Sequence, residues 1–197
     1  MKTKQKAILT FSITTIVIIL LDQVTKELAL RRLPAGNTVR VIGDFFRLTL
    51  AKNPGGVFGT KIGGNALYIL FSVIGIALIS YYFRELFKSR NNFGVFSVGL
   101  LLGGAVGNLI DRIRFSEVTD FLDFGIGDLR WATFNIADAA ILIGIILLFS
   151  VELKNVKKDG NNGPDGDRED EAGSFLGPGS SPPVEIEDTK TDSPKED

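Results

Sequence analysis

Asn108, Asp111, Arg112, Asp120, Asp123, Asp128, Asn135 and Asp138 all fall within one stretch of the chain, Gly103–Ile141. The stretch begins in one apolar run, crosses a short polar segment and ends in the next apolar run. Asn135 and Asp138 head a segment otherwise suited only to lipid, and an ionised carboxylate at the centre of a bilayer helix costs roughly 2.5–3.5 kcal/mol on insertion scales. A residue kept at that cost has a task or a partner. Asp120 and Asp138 are the first candidate pair. Two neighbouring carboxylates do not both ionise easily; one keeps a proton, so the pair supplies an acid and a base together. The base activates a water, the acid polarises a carbonyl, and the outcome is amide hydrolysis of the aspartic-protease kind. The residues alone do not choose between Asp120 and Asp123. They also leave open a structural role in which Asp138 pairs with Arg112 or Lys26 to hold helices together.

Composition narrows the chemistry further. The 197 residues include no cysteine and no histidine. Thiolate nucleophiles, disulfides and Cys-ligated metals are therefore out, and with them the Ser-His-Asp triad and the commonest zinc ligand. Acid–base work falls on Asp, Glu, Lys or Tyr. Nothing in the sequence calls for a cofactor, metal, nucleotide or nucleic-acid partner. The formal net charge of −1 hides two dissimilar parts. Residues 1–158 are basic and carry long apolar runs, which makes them the candidate membrane domain. Residues 159–197 are acidic and rich in Gly and Pro, with too little apolar surface to offset ordering entropy, so a disordered tail is expected there.

Four elements must position the candidate residues. The N-terminus MKTKQK precedes AILTFSITTIVIILL, which could be a secretory signal peptide. The following DQVTKELALRRLP lacks the small-x-small cleavage pattern, so the reading is an uncleaved first transmembrane helix over about residues 7–29. Three more apolar runs, 66–83, 93–110 and 133–153, complete four spans. Between the first two, TVRVIGDFFRLTLAKN alternates partly and is rich in β-branched and aromatic residues, which predicts a short hairpin or small sheet. It closes on the loop signal NPGGVFG. The predicted fold class is an all-α membrane protein: four transmembrane helices with a small extracytoplasmic β-sheet between helices 1 and 2.

Orientation follows from basic residues close to helix ends. Lys2, Lys4 and Lys6, then Arg84, Lys88 and Arg90, then Lys154, Lys157 and Lys158 crowd one side. Both termini are accordingly expected in the cytoplasm. Asp22, about 22 Å along the helix from Ala7 at ~1.5 Å per residue, then lies in the outer half of the bilayer. Asp111 is expected to cap the outer end of helix 3, Asp138 lies about one turn inside helix 4, and Asn53 and Asp120 belong to the outer loops. Four separate placements collect at one membrane face. A small ion-coupled transporter or channel subunit using Asp22 and Asp138 is the alternative, although that class more often places its carboxylates near the midplane.

The remaining motifs have plain readings as well. Asp22 and Lys26, at i and i+4, predict an intrahelical ion pair with Lys26 reaching toward the headgroups. Asn53-Pro54-Gly55-Gly56 is either a simple turn or a set of free amides for an extended peptide. Gly99, Gly103, Gly104 and Gly107 predict close helix packing. Gly125-Ile126-Gly127-Asp128 matches the G-x-G-D string of presenilin-type proteases, but no Tyr-Asp partner precedes it, and it reads as a turn.

In order, Asp22-Gln23-Val24-Thr25-Lys26, Asn53-Pro54-Gly55-Gly56-Val57-Phe58-Gly59, Gly107-Asn108-Leu109-Ile110-Asp111-Arg112, Val118-Thr119-Asp120-Phe121 and Phe134-Asn135-Ile136-Ala137-Asp138 resemble the motifs of signal peptidase II, the bacterial inner-membrane aspartyl proteases that process lipoproteins. The resemblance covers about residues 7–153 and leaves out the acidic tail. It implies an enzyme that cleaves diacylglyceryl-modified prolipoproteins before the lipidated cysteine at the outer membrane face; membrane lipids are its other expected partners, and a monomer is expected. It puts Asp120 and Asp138 on the catalytic aspartates and Asn53 and Gly55 in the substrate groove. Asn108, Asp111, Arg112 and Asn135 would position the dyad, with Asp22 and Lys26 in support. Gly56-Val57 departs from the family's usual pair of alanines.

Overall fold

The computed structural model describes residues 2–33, 38–55, 64–89 and 91–161. Four helices form among these residues: α1 (Lys2–Arg32), α2 (Asn65–Ser89), α3 (Asn92–Phe115) and α4 (Ile136–Asn161). Each carries a stretch long and apolar enough to cross a membrane, with mean hydropathy between 1.9 and 2.3. All four exceed their predicted lengths, because apolar runs show only the lipid-facing part of a helix. The longest extension that matters is in α3. The chain there continues helical past Asp111 to Phe115 and stops at Ser116, whose φ of 62° is left-handed and whose N–H donates to the Arg112 carbonyl. Asp111 is thus a residue within α3 and does not cap its end.

Glycine settles how the helices meet. Gly99, Gly103 and Gly107, four apart on α3, lie against Thr14, Ile18 and Asp22, four apart on α1. A Cβ at Gly103 would come within 2.8 Å of Ile18 and 3.0 Å of the Thr15 carbonyl, so only a bare backbone permits this approach. Gly104 turns the other way, onto the Ala137 carbonyl and Ile141 of α4. The glycine pattern therefore serves two interfaces, and α3 is the central helix of the bundle. At the end of the bundle holding the α1 N-terminus, Ala7, Leu86, Val95 and Val98 form an apolar core, with Phe11 and Phe83 stacked at 4.0 Å. Large apolar side chains such as Leu20, Leu78 and Ile146 stay exposed on the outside, as lipid-facing surfaces do.

The opposite end carries a four-stranded antiparallel sheet, β1 (Thr38–Ile42), β2 (Phe46–Asn53), β3 (Val118–Ile126) and β4 (Leu129–Arg130), in the order β1-β2-β3-β4. The predicted hairpin is there, but it is half of the sheet. The other half comes from the connection between α3 and α4, which the sequence presents as a polar loop. Phe46, Phe124 and Phe134 stack across the sheet, at 4.5 and 5.7 Å between successive rings. Gly127, at φ 56°, and Asp128 make the two-residue turn from β3 to β4, so the G-x-G-D string is a hairpin tip with an exposed aspartate.

Met1–Lys154 form one compact unit. The second unit, Asn155–Asp197, is described only as far as Asn161, where α4 ends. The predicted acidic tail beyond that residue lies outside the described residues, as do residues 56–63 of the glycine loop.

Candidate active site

The polar residues of α1, α3, β3 and α4 converge at the sheet end of the bundle. Asp120 enters from β3, at a point where the pairing with β2 shifts register between Leu48 and Ala51. Such an irregularity re-aims side chains along a strand. Its carboxylate is 2% exposed. Asn135 Nδ2 donates to one oxygen at 2.7 Å and Asn53 Nδ2 to the other at 3.2 Å. Burial, and then the charge of Asp138, push the Asp120 carboxyl up to about 6.

Asp138 stands in the first turn of α4, where helix amides favour negative charge. Asn135 is the N-cap of that helix. Its Oδ1 accepts from the Asp138 N–H at 2.9 Å, and its own N–H donates to Asp138 Oδ2 at 3.2 Å. This is a reciprocal capping box with aspartate in the third position. The other Asp138 oxygen accepts from Asn108 Nδ2 at 2.7 Å. Asn108 Oδ1 in turn accepts from Asn135 Nδ2 at 3.1 Å. Two asparagine side chains thus tie the two carboxylates into one network. Among the described residues no ion pair reaches Asp138, so the purely structural pairing with Arg112 or Lys26 is not what the structure contains.

Lys26 goes elsewhere. The ion pair with Asp22 forms at 2.8 Å, as i,i+4 spacing predicts, but Lys26 is 2% exposed and points into the bundle instead of toward the headgroups. The physical reason is the set of oxygens waiting there: Asp111 Oδ2 at 3.2 Å and Asn108 Oδ1 at 3.0 Å complete three partners for its three donors. Asp22 also accepts the Ala137 N–H at 2.9 Å, satisfying an amide in the first turn of α4. Asp111 accepts the Thr119 N–H at 3.0 Å, anchoring the start of β3. One buried lysine and two buried aspartates therefore fix three elements relative to each other. Arg112 lies at the edge of this cluster, over the Tyr68 ring at 5.8 Å, and interacts electrostatically with Asp138, Asp120 and Asp111.

A cleft of about 480 Å³ opens onto Asp120. Lys52, Asn53 and Pro54 line one side, and Arg130, Trp131 and Thr133 the other. Gly55 is buried, and its N–H closes an Asx turn on Asn53 Oδ1 at 3.1 Å, which orients the asparagine toward Asp120. The ten residues that the family resemblance assigns to the site thus lie in one connected region, whereas Asp123 and Asp128 do not. Sequence reasoning missed Gln23, whose Nε2 reaches Asp22, Asp111 and the Gly107 carbonyl at 3.1–3.2 Å. It also missed Trp131, although a lone tryptophan four residues before the Asn135 cap is a visible signal. Asp123, the rival to Asp120, is bound at 2.7 Å to Arg130 and at 2.9 Å to Thr49, away from Asp138.

The chain is similar to known proteins in both sequence and fold. The family model for signal peptidase (SPase) II matches residues 14–154. A lipoprotein signal peptidase of Halothermothrix orenii is 41% identical over 137 residues, 69% of this chain and 90% of its own length. That of Syntrophus aciditrophicus is 41% identical over 151 residues, 73% of this chain and 92% of its own. A bacterial membrane enzyme solved by the in meso method at 2.3 Å resolution superposes with a TM-score of 0.68 and 30% identity, over 76% of this chain and 90% of that one.

Proposed function

The chain belongs to the signal peptidase II family, and from that premise we propose that Asp120 and Asp138 are the catalytic pair of an enzyme that cuts lipoprotein precursors. It is an aspartic peptidase and spans the membrane more than once; an ion-coupled transporter is not favoured. The observation that carries the site assignment is the Asn135–Asn108 bridge between the two carboxylates, with the cleft opening onto Asp120.

The chemistry runs on the chain's own groups. Asp120, its carboxyl raised to about 6, holds the shared proton and donates it to the scissile carbonyl oxygen. Asp138 takes a proton from water as that water adds to the carbonyl carbon. Collapse of the tetrahedral adduct breaks the C–N bond: the departing amine takes the proton from Asp138, and one hydroxyl of the adduct returns its proton to Asp120, leaving a carboxylic acid and the starting form of the pair. Asn135 and Asn108 donate to the carboxylates throughout, which holds both in register while charge moves between them.

The substrate is a diacylglyceryl-modified prolipoprotein, cut before its lipidated cysteine. Its signal peptide lies along Asn53 and Gly55, and its lipid remains among the helices. Both termini face the cytoplasm of a bacterial inner-membrane protein, the sheet and the cleft lie on the outer surface, and the catalytic domain is residues 1–158. The enzyme is proposed to act as a monomer, since Asn53, Asn108 and Asn135 can complete the hydrogen bonding of both carboxylates within one chain. Asp120→Asn and Asp138→Asn, each purified in detergent with a lipidated precursor, are expected to bind it without cleaving it. Cleavage by either variant at the wild-type rate overturns the assignment.

A further inference from the structure

A second cavity, about 380 Å³, lies behind the strand that carries Asp120 and shares no lining residue with the catalytic cleft. Successive residues of a strand face opposite ways, so Asp120 looks into the cleft while Phe121 looks into this cavity. Leu48 of β2 stands beside Phe121. The facing wall is a single stripe of α1, in which Thr25, Leu28, Ala29 and Arg32 recur at i, i+3, i+4 and i+7. The walls are apolar except for Thr25 and the guanidinium of Arg32. Arg31 is held by Glu27 at 2.6 Å, whereas Arg32 has no ion-pair partner among the described residues. Arg32 also ends the apolar span of α1, which places the cavity at the depth where acyl chains give way to headgroups.

We propose that this cavity binds one anionic phospholipid. An acyl chain lies along Leu28, Ala29, Leu48 and Phe121, and the lipid phosphate pairs with Arg32. Three properties select that occupant. Water gains almost no polar partner on these walls, so hydration does not stabilise the space. Its volume is near the low end of ligand sites, roughly 300–1,000 Å³, which suits part of one chain better than a folded partner. An exposed, unpaired guanidinium beside an apolar bore matches a molecule with an anionic head and an apolar tail. Occupancy would press on Phe121 from behind and hold β3 against α1, next to the catalytic strand position.

The test uses the full-length protein in detergent, titrated with phosphatidylglycerol or phosphatidylcholine and read by native mass spectrometry and by thermal unfolding. Wild type is expected to retain one phosphatidylglycerol about fivefold more tightly than phosphatidylcholine, the factor expected from about 1 kcal/mol per basic residue at a membrane surface. Arg32→Gln alters an exposed side chain and leaves the fold intact; it is expected to abolish that preference. Ala29→Phe fills the bore and is expected to reduce retention of both lipids. Glycerol phosphate without acyl chains is expected to give neither adduct nor stabilisation. Equal retention of the two lipids by wild type overturns the proposal, as does a preference unchanged in Arg32→Gln. Occupation of the bore by the chain itself would show as no retained lipid in any variant, and also overturns it. None of these readouts involves cleavage.

Discussion

Asp120 is expected to make the enzyme less stable at neutral pH, and Asp120→Asn measures by how much. Its carboxyl moves from 3.8 in the unfolded chain to about 6 in the folded one. A displacement of that size corresponds to about 3 kcal/mol, and at 2% exposure solvent screening takes little of it away. The sign follows from which state holds the proton. Below pH 3.8 both states are protonated and the residue is neutral to stability. Between there and about 6 the unfolded chain has released its proton while the folded chain keeps it, so stability falls as pH rises through that window and stays low above it. Asparagine removes the titration. It also leaves one acceptor oxygen where Asn135 and Asn53 now find two, a loss of about 1–3 kcal/mol that does not depend on pH. The stability of Asp120→Asn relative to wild type should therefore climb by about 2 kcal/mol from about pH 4 to pH 7, whatever its starting offset. Denaturant unfolding in one detergent at four pH values measures this. A flat difference, or one that declines with pH, refutes the argument that Asp120 is buried beside a like charge. In the proposed mechanism the same proton sets the rate, so wild-type cleavage should drop as pH rises above about 6.

Gly104→Ala drives a Cβ into the Ala137 carbonyl and to 2.7 Å from Ile141, and backbone does not yield as a side-chain tip does. A loss of about 1–3 kcal/mol in unfolding free energy is expected, with a larger proportional fall in kcat as the start of α4 shifts. Lys26→Met leaves Asp22 and Asp111 buried without their cation and should cost about 3–5 kcal/mol, part of which Lys26→Met with Asp111→Asn recovers. Since the chain has no cysteine, Leu129→Cys at the sheet tip and Lys4→Cys are each unique labels. In intact cells an impermeant maleimide should modify Leu129→Cys only; labelling of Lys4→Cys instead reverses the proposed orientation.

The helices were readable because hydropathy is a local property, and each span carries it in its own residues. Strand β3 was not. Val118–Ile126 contains Asp120 and Asp123, and its chief partner, β2, lies more than sixty residues upstream, so pairing that no local period expresses decides its conformation. The choice between Asp120 and Asp123 depended on the same pairing. A strand alternation would separate them, but only the Arg130–Asp123 contact shows which one is neutralised. Lys26 illustrates a different limit. Its spacing from Asp22 was legible, whereas its direction depends on Asp111 and Asn108, which α3 delivers from more than eighty residues away.

The sheet is assembled from two separate connections, and this orders the protein's birth. The strand bearing Asp120 emerges only after α3, and β2 must wait for it through the synthesis of two helices. With Asp138 in the proposed catalytic pair, a newly made chain has no working machinery until its last span is in place. The gene could be divided between α2 and α3 into two pieces, each a helix pair with its own ribbon. The first would own Asn53 and the Asp22–Lys26 pair, the second both proposed catalytic acids, and neither would cut anything until the two ribbons zipped together.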